Sequence, residues 1–248
     1  MTLTCSRACC QRRSCSNRAV KAITFPSHLP MRRSGQTTIT KFELHHGDCL
    51  VGMETRLAAA SIDLAVTSPP YNLGVRYRQH RDDGSRAAHL AWCGRWGREL
   101  QRVLWTDGSL FLKVGGAPSD PLLPHQLALV FSEFFVLQNT FLWIKAITVE
   151  IEDGTTLSKG HFKPINSRRF VNDCHEYRFH FTRTGRAPLD RLGIGVPYSD
   201  KSNIARWRHT VGRDRRCRGN TWFVPYQTIQ NRSRERPHPA TFPVQLAA

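Results

Sequence analysis

The sequence predicts an α/β fold in which a mostly parallel sheet ends in an antiparallel pair of strands. From residue 41 onward, short apolar runs alternate with longer segments of helical periodicity, which is typical of strands alternating with helices in one sheet. The run Ile62–Thr67 is largely apolar and stops at two consecutive prolines, as a strand does when a loop follows it. Residues 135–147 and 176–182 both have strand character, and they predict the antiparallel pair.

Each predicted element has a local reason. Residues 42–45 and 176–182 alternate between apolar and polar side chains, as strands do, and residues 85–104 place Leu90, Trp96 and Leu100 on or near one face of a helix. The turn at 106–108 contains Asp107 and Gly108. In chain order we expect a strand at 42–45, a helix at 50–57, a strand at 62–67, a helix at 85–104, a strand at 109–114, a helix at 121–134, and strands at 135–147 and 176–182.

The charge of the chain favours a polyanionic partner. The 248 residues contain 36 Lys and Arg against 19 Asp and Glu, a formal net charge of +17. Such an excess is costly in self-repulsion unless a polyanion neutralises it, and nucleic acid is the obvious candidate. A solvated basic surface or a basic tail would give the same composition.

The cysteines indicate a reduced protein. Four of the eight lie within the first 15 residues, and the other four are scattered singly. No CxxC pair or His/Cys ligand spacing occurs, so we expect no zinc site. No apolar run approaches membrane-spanning length. We expect a protein of the bacterial or archaeal cytoplasm.

The loop after the Ile62–Thr67 strand is the strongest functional signal. Pro69 and Pro70 fix the backbone, remove two N–H donors and leave carbonyl acceptors free. Ser68 adds a hydroxyl and Tyr71 an aromatic ring. A rigid loop with acceptors and one ring suits a planar substrate that carries an NH₂ group, as a nucleobase does.

Residues 67–72, Thr-Ser-Pro-Pro-Tyr-Asn, resemble the catalytic (S/D/N)PP(Y/F) signature of DNA amino-methyltransferases. Further matches follow in order: Asp48 after a strand, a DGxLfl strand from Asp107 to Leu112, an HE(Y) step at His175–Tyr177, a WxxPY-like step from Trp222, and HPAxFP from His238 to Pro243. Several signatures in one order are far more specific than one short motif. Because the catalytic loop precedes HPAxFP, the order is that of the β class.

The resemblance implies a Rossmann-like fold, S-adenosylmethionine (SAM) as cofactor and double-stranded DNA as substrate, and it leaves open a cognate restriction endonuclease. The implied catalytic residues are Ser68, Pro69, Pro70 and Tyr71. The implied SAM-binding residues are Asp48, His238, Pro239, Ala240, Phe242 and Pro243. Serine at position 68 favours N4 of cytosine, and N6 of adenine is the alternative. Methylation at C5 of cytosine needs a nucleophilic Cys, usually after a proline, and the chain has no Pro-Cys pair.

The basic segment 201–218 is the candidate for DNA contact, because arginines grip phosphates and read guanine edges. The residues we expect to bind DNA are Lys201, Arg206, Arg208, Arg213, Arg215 and Arg216. The alternative is a solvated basic loop.

Enzymes of the β class carry a Gly-rich SAM turn, D-x-F-x-G-x-G, after HPAxFP. None follows Pro243 here, and Gly193-Ile194-Gly195 lacks the strand before it and the helix after it. We therefore expect a C-terminally truncated methyltransferase with impaired SAM binding. An inactive DNA-binding remnant, or a methyltransferase acting on RNA or on protein glutamine, is an alternative.

The chain divides into four predicted regions. Residues 1–36 are basic and lack any acidic residue; they form a disordered arm, a transit-peptide-like segment, or sequence upstream of a natural start at Met31, the option we favour. Residues 40–183 form the catalytic core, 184–218 the target-recognition segment, and 219–248 part of the SAM-binding region.

Overall fold

The computed structural model describes residues 3–5, 43–74, 82–150, 155–159, 167–202, 204–206, 213–225 and 243–246. The helices are α1 (Cys49–Arg56), α2 (Arg86–Val103) and α3 (Leu123–Ser132). The strands are β1 (Leu3–Cys5), β2 (Ile62–Thr67), β3 (Leu104–Val114), β4 (Val136–Glu150), β5 (Thr156–Lys159), β6 (His175–Thr182) and β7 (Thr221–Pro225). Two 3₁₀ turns lie at Ile204–Arg206 and Val244–Leu246.

The strands form one mixed sheet in the order β1-β2-β3-β6-β4-β5, and β7 also pairs with β4. The strands β1, β2 and β3 are mutually parallel. The strand β6 is antiparallel to both β3 and β4, whereas β7 is parallel to β4. The predicted α/β class and the antiparallel pairing of 135–147 with 176–182 are therefore confirmed. The pair is not at the end of the sheet as predicted, because β6 lies between β3 and β4, and β4 also pairs with β5 and β7.

The helices α2 and α3 pack together on one face of the sheet. Ser85 caps α2 by accepting a hydrogen bond from the Ala88 amide at 3.2 Å. Buried residues recur at helical spacing along α2, and Trp96 meets Phe131 of α3 edge to face with ring centroids 5.6 Å apart. Gly97 lets the helices approach closely, since a Cβ there would lie 2.9 Å from Cδ2 of Phe134.

The opposite face of the sheet carries a second apolar cluster. Its buried members are Phe141, Trp143, Trp222, Val224 and Leu246, with Phe111 packed against them. Leu246 belongs to the Val244–Leu246 turn, so the end of the described chain folds back onto this face.

Two sequence predictions were wrong in detail. Residues 43–45 are in no strand, and the side chain of Leu44 is 86% exposed; the place beside β2 is occupied by β1. Residues 106–108 do not separate a helix from a later strand, because β3 already begins at Leu104. The turn residues instead produce a bulge, at which the register shifts between Ile62 and Leu64.

The remaining predicted helices and strands agree with the structure to within three residues at each end. Of the predicted basic N-terminal segment, the structure describes residues 3–5, which form β1. In the part of the chain that is described, no helix is long and apolar enough to cross a membrane.

Candidate active site

The Ser68–Tyr71 loop lies at the carboxyl edge of the sheet. It follows β2 directly, and β2 is parallel to β3, so the loop and the end of β3 meet at the same edge. The strand β6 runs in the opposite direction, with Tyr177 opposite Val114, and its first residues reach this edge too. Ligands of α/β sheets bind at the carboxyl ends of parallel strands.

Asp82 holds the outer side of the loop. Its side chain accepts hydrogen bonds from the backbone amides of Asn72 (2.9 Å) and Leu73 (3.1 Å), and its carbonyl accepts from Gly74 (2.7 Å). Asn72 has φ of 55°, a left-handed conformation that asparagine tolerates. Its side-chain amide donates to the carbonyl of Gly84 at 2.8 Å. The loop is therefore fixed by Asp82, a residue that is 3% exposed.

A hydrogen-bonded cluster of charged side chains lies on the inner side of the loop. The Tyr71 hydroxyl lies 3.0 Å from Ser68 Oγ, donates to Glu176 Oε2 at 3.3 Å and accepts from Lys113 Nζ at 3.2 Å. Lys113 pairs with Glu176 Oε2, and Lys145 pairs with Glu176 Oε1 at 3.0 Å. Residues from β3, β4 and β6 thus converge on the loop.

The cluster fixes the protonation of its members. Burial and the negative charge of Glu176 raise the pKa of Tyr71 well above its ordinary value. Burial alone would raise the pKa of Glu176, but the charges and hydrogen bonds of Lys113 and Lys145 outweigh it and hold that pKa below its ordinary value. At neutral pH, Glu176 is an anion and Tyr71 a phenol.

Gly115 allows these groups to pack against the chain. A Cβ at this position would lie 3.0 Å from Cγ of Glu176 and 3.3 Å from Cε2 of Tyr71. A side chain at position 115 would therefore displace Glu176 or Tyr71.

Lys113 also makes cation–π contacts. Its ammonium lies 5.8 Å from the Tyr71 ring centroid and 5.2 Å from that of Trp143.

Two of the six predicted SAM-binding residues lie in the described part of the chain. Asp48 is the N-cap of α1, where its Oδ1 accepts from the amides of Leu50 (2.9 Å) and Val51 (3.1 Å). This helix cap uses one of the two carboxylate oxygens. Pro243 leads into the turn that buries Leu246. The other four, His238, Pro239, Ala240 and Phe242, lie outside the described residues.

The five described residues among the six predicted to bind DNA are all exposed. Three of them make contacts within the protein: Lys201 pairs with Asp214 at 2.8 Å, Arg215 donates to the carbonyls of Gly193 (3.3 Å) and Gly195 (3.2 Å), and the backbone of Arg216 pairs with Val196. Arg208 lies outside the described residues.

No sequence motif revealed Asp82, Lys113 or Lys145, and Glu176 had no predicted role beyond its motif. Lys113 had a signal, because it is a charged residue inside the otherwise apolar stretch 110–114. Asp82 had none, since it lies in a polar segment without a regular period.

The fold is that of the methyltransferases. The structure is similar to that of the PvuII DNA methyltransferase (cytosine-N4-specific), with a TM-score of 0.53 and 18% identity over 81% of this chain and 65% of that one. A family model described as DNA methylase matches residues 62–248. The chain therefore belongs to the DNA methylase family of N6 and N4 amino-methyltransferases.

Two curated relatives support this assignment. The type II methyltransferase M.MjaVI of Methanocaldococcus jannaschii is 35% identical over 89 residues, which are 34% of this chain and 45% of that protein. The type II methyltransferase M.ScaI of Streptomyces caespitosus is 29% identical over 139 residues, 55% of this chain and 43% of that protein. The chain spans about half the length of these relatives.

Proposed function

We propose that this protein transfers a methyl group from SAM to an exocyclic amino group of a base flipped out of double-stranded DNA, and that the acceptor is N4 of cytosine. The observation that carries the proposal is the position of the Ser68 hydroxyl. It lies at the carboxyl edge of the sheet, half exposed, and it is held by Tyr71 at 3.0 Å. Membership of the DNA methylase family supports the same reaction.

The reaction needs acceptors for the hydrogens of the amino group. The lone pair of an aromatic amine is delocalised into the ring, which makes the nitrogen a poor nucleophile. If Ser68 Oγ and the Pro69 carbonyl accept the two amino hydrogens, the lone pair is localised on the nitrogen and directed out of the ring plane. SAM, when bound, supplies an electrophilic methyl group. The chain's contribution is orientation of the amine.

The rigidity of the loop matters because orientation supplies most of the rate. Asp82 fixes the outer side of the loop. The Glu176 cluster, formed by Glu176, Lys113, Lys145 and the Tyr71 hydroxyl, fixes its inner side. A target base reaches such a loop only after it leaves the duplex stack. We propose that the half-buried ring of Tyr71 then stacks on it.

Serine at position 68 supports cytosine N4 as the acceptor, and adenine N6 is the second candidate. The type II methyltransferases among its relatives support a place in a restriction-modification system. On this proposal the protein works in the cytoplasm and a cognate endonuclease is its functional partner. The residues we propose to contact the DNA are those of the predicted set, of which the exposed Lys201, Arg206, Arg213, Arg215 and Arg216 are described.

The first test is a calorimetric titration of the full chain with SAM. Micromolar binding would reject the expectation of an impaired cofactor site. If no heat of binding is seen, a failure of methyl transfer is assigned to the cofactor site and not to the Ser68 loop.

The second test is transfer of label from SAM to duplex DNA. If the titration shows SAM binding, we expect incorporation by the wild type, at least about a hundredfold less by Ser68→Ala, and wild-type incorporation by Ser132→Ala. Ser132 is a matched control, because its hydroxyl bonds to the carbonyl of Ala128 in α3, away from the loop. Label that enters RNA or protein but not DNA would contradict the proposed substrate.

A further inference from the structure

The Glu176 cluster contains more charge than packing requires. The side chains of Lys113 and Glu176 are 11% and 13% exposed, and that of Lys145 is 23% exposed. Burying two ammonium groups and a carboxylate is costly unless each is paired. The three strands that supply them place this charge directly behind the Ser68–Tyr71 loop.

The chemistry of the charged groups fixes the direction of the hydrogen bonds that they make. A lysine ammonium only donates, and an ionised carboxylate only accepts. The Tyr71 oxygen accepts from Lys113, and its single proton has two acceptors in reach, Glu176 Oε2 at 3.3 Å and Ser68 Oγ at 3.0 Å. We assign the proton to Glu176, because an ionised carboxylate is a stronger acceptor than a serine hydroxyl. Tyr71 has no second proton for Ser68. The 3.0 Å contact between the two hydroxyls is then made by the Ser68 proton.

We propose that Glu176 is a positioning residue, which acts through Tyr71 to hold the Ser68 proton inward, so that Ser68 presents only lone pairs to the substrate. This proposal rests on the proposed function and extends it to a residue that does not touch the base. Lys113 and Lys145 keep the Glu176 carboxylate ionised and in place.

The direction of the Ser68 hydroxyl decides whether an amine is a suitable ligand. With the proton held by Tyr71, Ser68 Oγ accepts from the amino group. If Glu176 loses its charge, Tyr71 is free to donate to Ser68, and the serine proton turns outward. That proton would then face the hydrogens of the NH₂ group. The site would lose an acceptor without any change in its shape.

The first experiment measures, without SAM or DNA, whether an ionised Glu176 acts on the Tyr71 hydroxyl. Alkaline titration of tyrosinate absorbance is recorded for wild type, Glu176→Gln and the matched control Glu99→Gln, with Tyr71→Phe to assign the signal among the five tyrosines. Glu99 is paired with Arg102 on α2, away from the loop. Circular dichroism at each pH confirms that the variants remain folded.

We expect the titration midpoint of Tyr71 to fall by about one to three pH units in Glu176→Gln, because a buried negative charge beside the phenol has been removed. It should stay unchanged in Glu99→Gln. A midpoint that is the same in wild type and Glu176→Gln would overturn the proposal, since Tyr71 would then not be donating to an ionised Glu176.

The second experiment is a double-mutant cycle on methyl transfer. Glu176→Gln and Tyr71→Phe should each lower kcat by ten- to a hundredfold with little change in KM, and adding either to Ser68→Ala should cause no further loss. Losses that multiply would show that Glu176 acts independently of Ser68 and would overturn the proposal. If the wild type binds SAM but transfers no methyl group, the proposed function fails, and the tyrosine titration still tests whether the Glu176 charge acts on Tyr71. Tyr71→Phe keeps the test intact if Glu176→Gln does not fold.

Discussion

His180 should make the fold sensitive to mild acid. Its ring is fully buried and stacks on Phe111, with centroids 4.5 Å apart and 5° between the planes. The Asn139 amide donates to Nδ1 at 3.0 Å, so Nε2 carries the proton and donates to Ser109 Oγ at 3.0 Å. A second proton on Nδ1 would face the Asn139 amide. Burial lowers the pKa of His180 to about 4.

The sign and size of the effect follow from linkage. The unfolded chain, with an ordinary histidine pKa of about 6.5, binds a proton as the pH falls through that value, whereas folded His180 does not until pH is near 4. The stability from neutral His180 is therefore present above about pH 6.5 and is lost progressively below it. Between pH 7 and pH 5 the free energy of unfolding falls by about 2 kcal/mol at most.

Urea unfolding at pH 7 and pH 5 measures this loss for wild type, His180→Gln and the control His125→Gln. Glutamine is neutral at both pH values, so His180→Gln should be less stable at pH 7 but should lose about 2 kcal/mol less than the wild type on acidification. His125 is exposed on α3 and its replacement should leave the pH dependence of the wild type. Equal pH dependence in wild type and His180→Gln would refute the reasoning.

Three further changes test the packing of the loop and the core. Asp82→Asn should lower the free energy of unfolding by about 1–3 kcal/mol and speed proteolysis of the loop, because it weakens a buried acceptor of the Asn72 and Leu73 amides. Thermal melts measure the stability, and limited trypsin digestion measures the proteolysis. Gly97→Ala should destabilise by about 1–3 kcal/mol in urea, and an unchanged midpoint would show that the nearby Phe134 ring can move aside. Phe131→Ala should cost about 3–5 kcal/mol in the same assay, because Phe131 is fully buried between α2 and the sheet.

The sequence predicted best where local pattern and tertiary environment agree. The run Ile62–Thr67 and the period of α2 gave the right elements because apolar side chains there both set the pattern and fill the core. Residues 43–45 alternate like a strand, but alternation does not specify a neighbour, and this segment has no strand partner. Pairing is a property of the whole sheet, so a short window cannot determine it.

The site could be predicted only where its residues are close together in the sequence. Ser68, Pro69, Pro70 and Tyr71 are contiguous, so a motif reveals them. Glu176 lies 105 residues from Tyr71, and its contact depends on the antiparallel pairing of β3 with β6. Neither hydrophobic period nor motif spacing carries that information. To predict the direction of the Ser68 hydrogen bond, one must know where both Lys113 and Glu176 lie.

The central claim is that the Ser68 loop directs a methyl group to an exocyclic nitrogen. The most direct measurement is mass spectrometry of nucleosides from duplex DNA incubated with SAM and either wild type or Ser68→Ala. We expect N4-methyl-2′-deoxycytidine from the wild type and no more than background from Ser68→Ala. A methyl group on carbon 5 of cytosine, or equal N4 methylation by both proteins, would contradict the account.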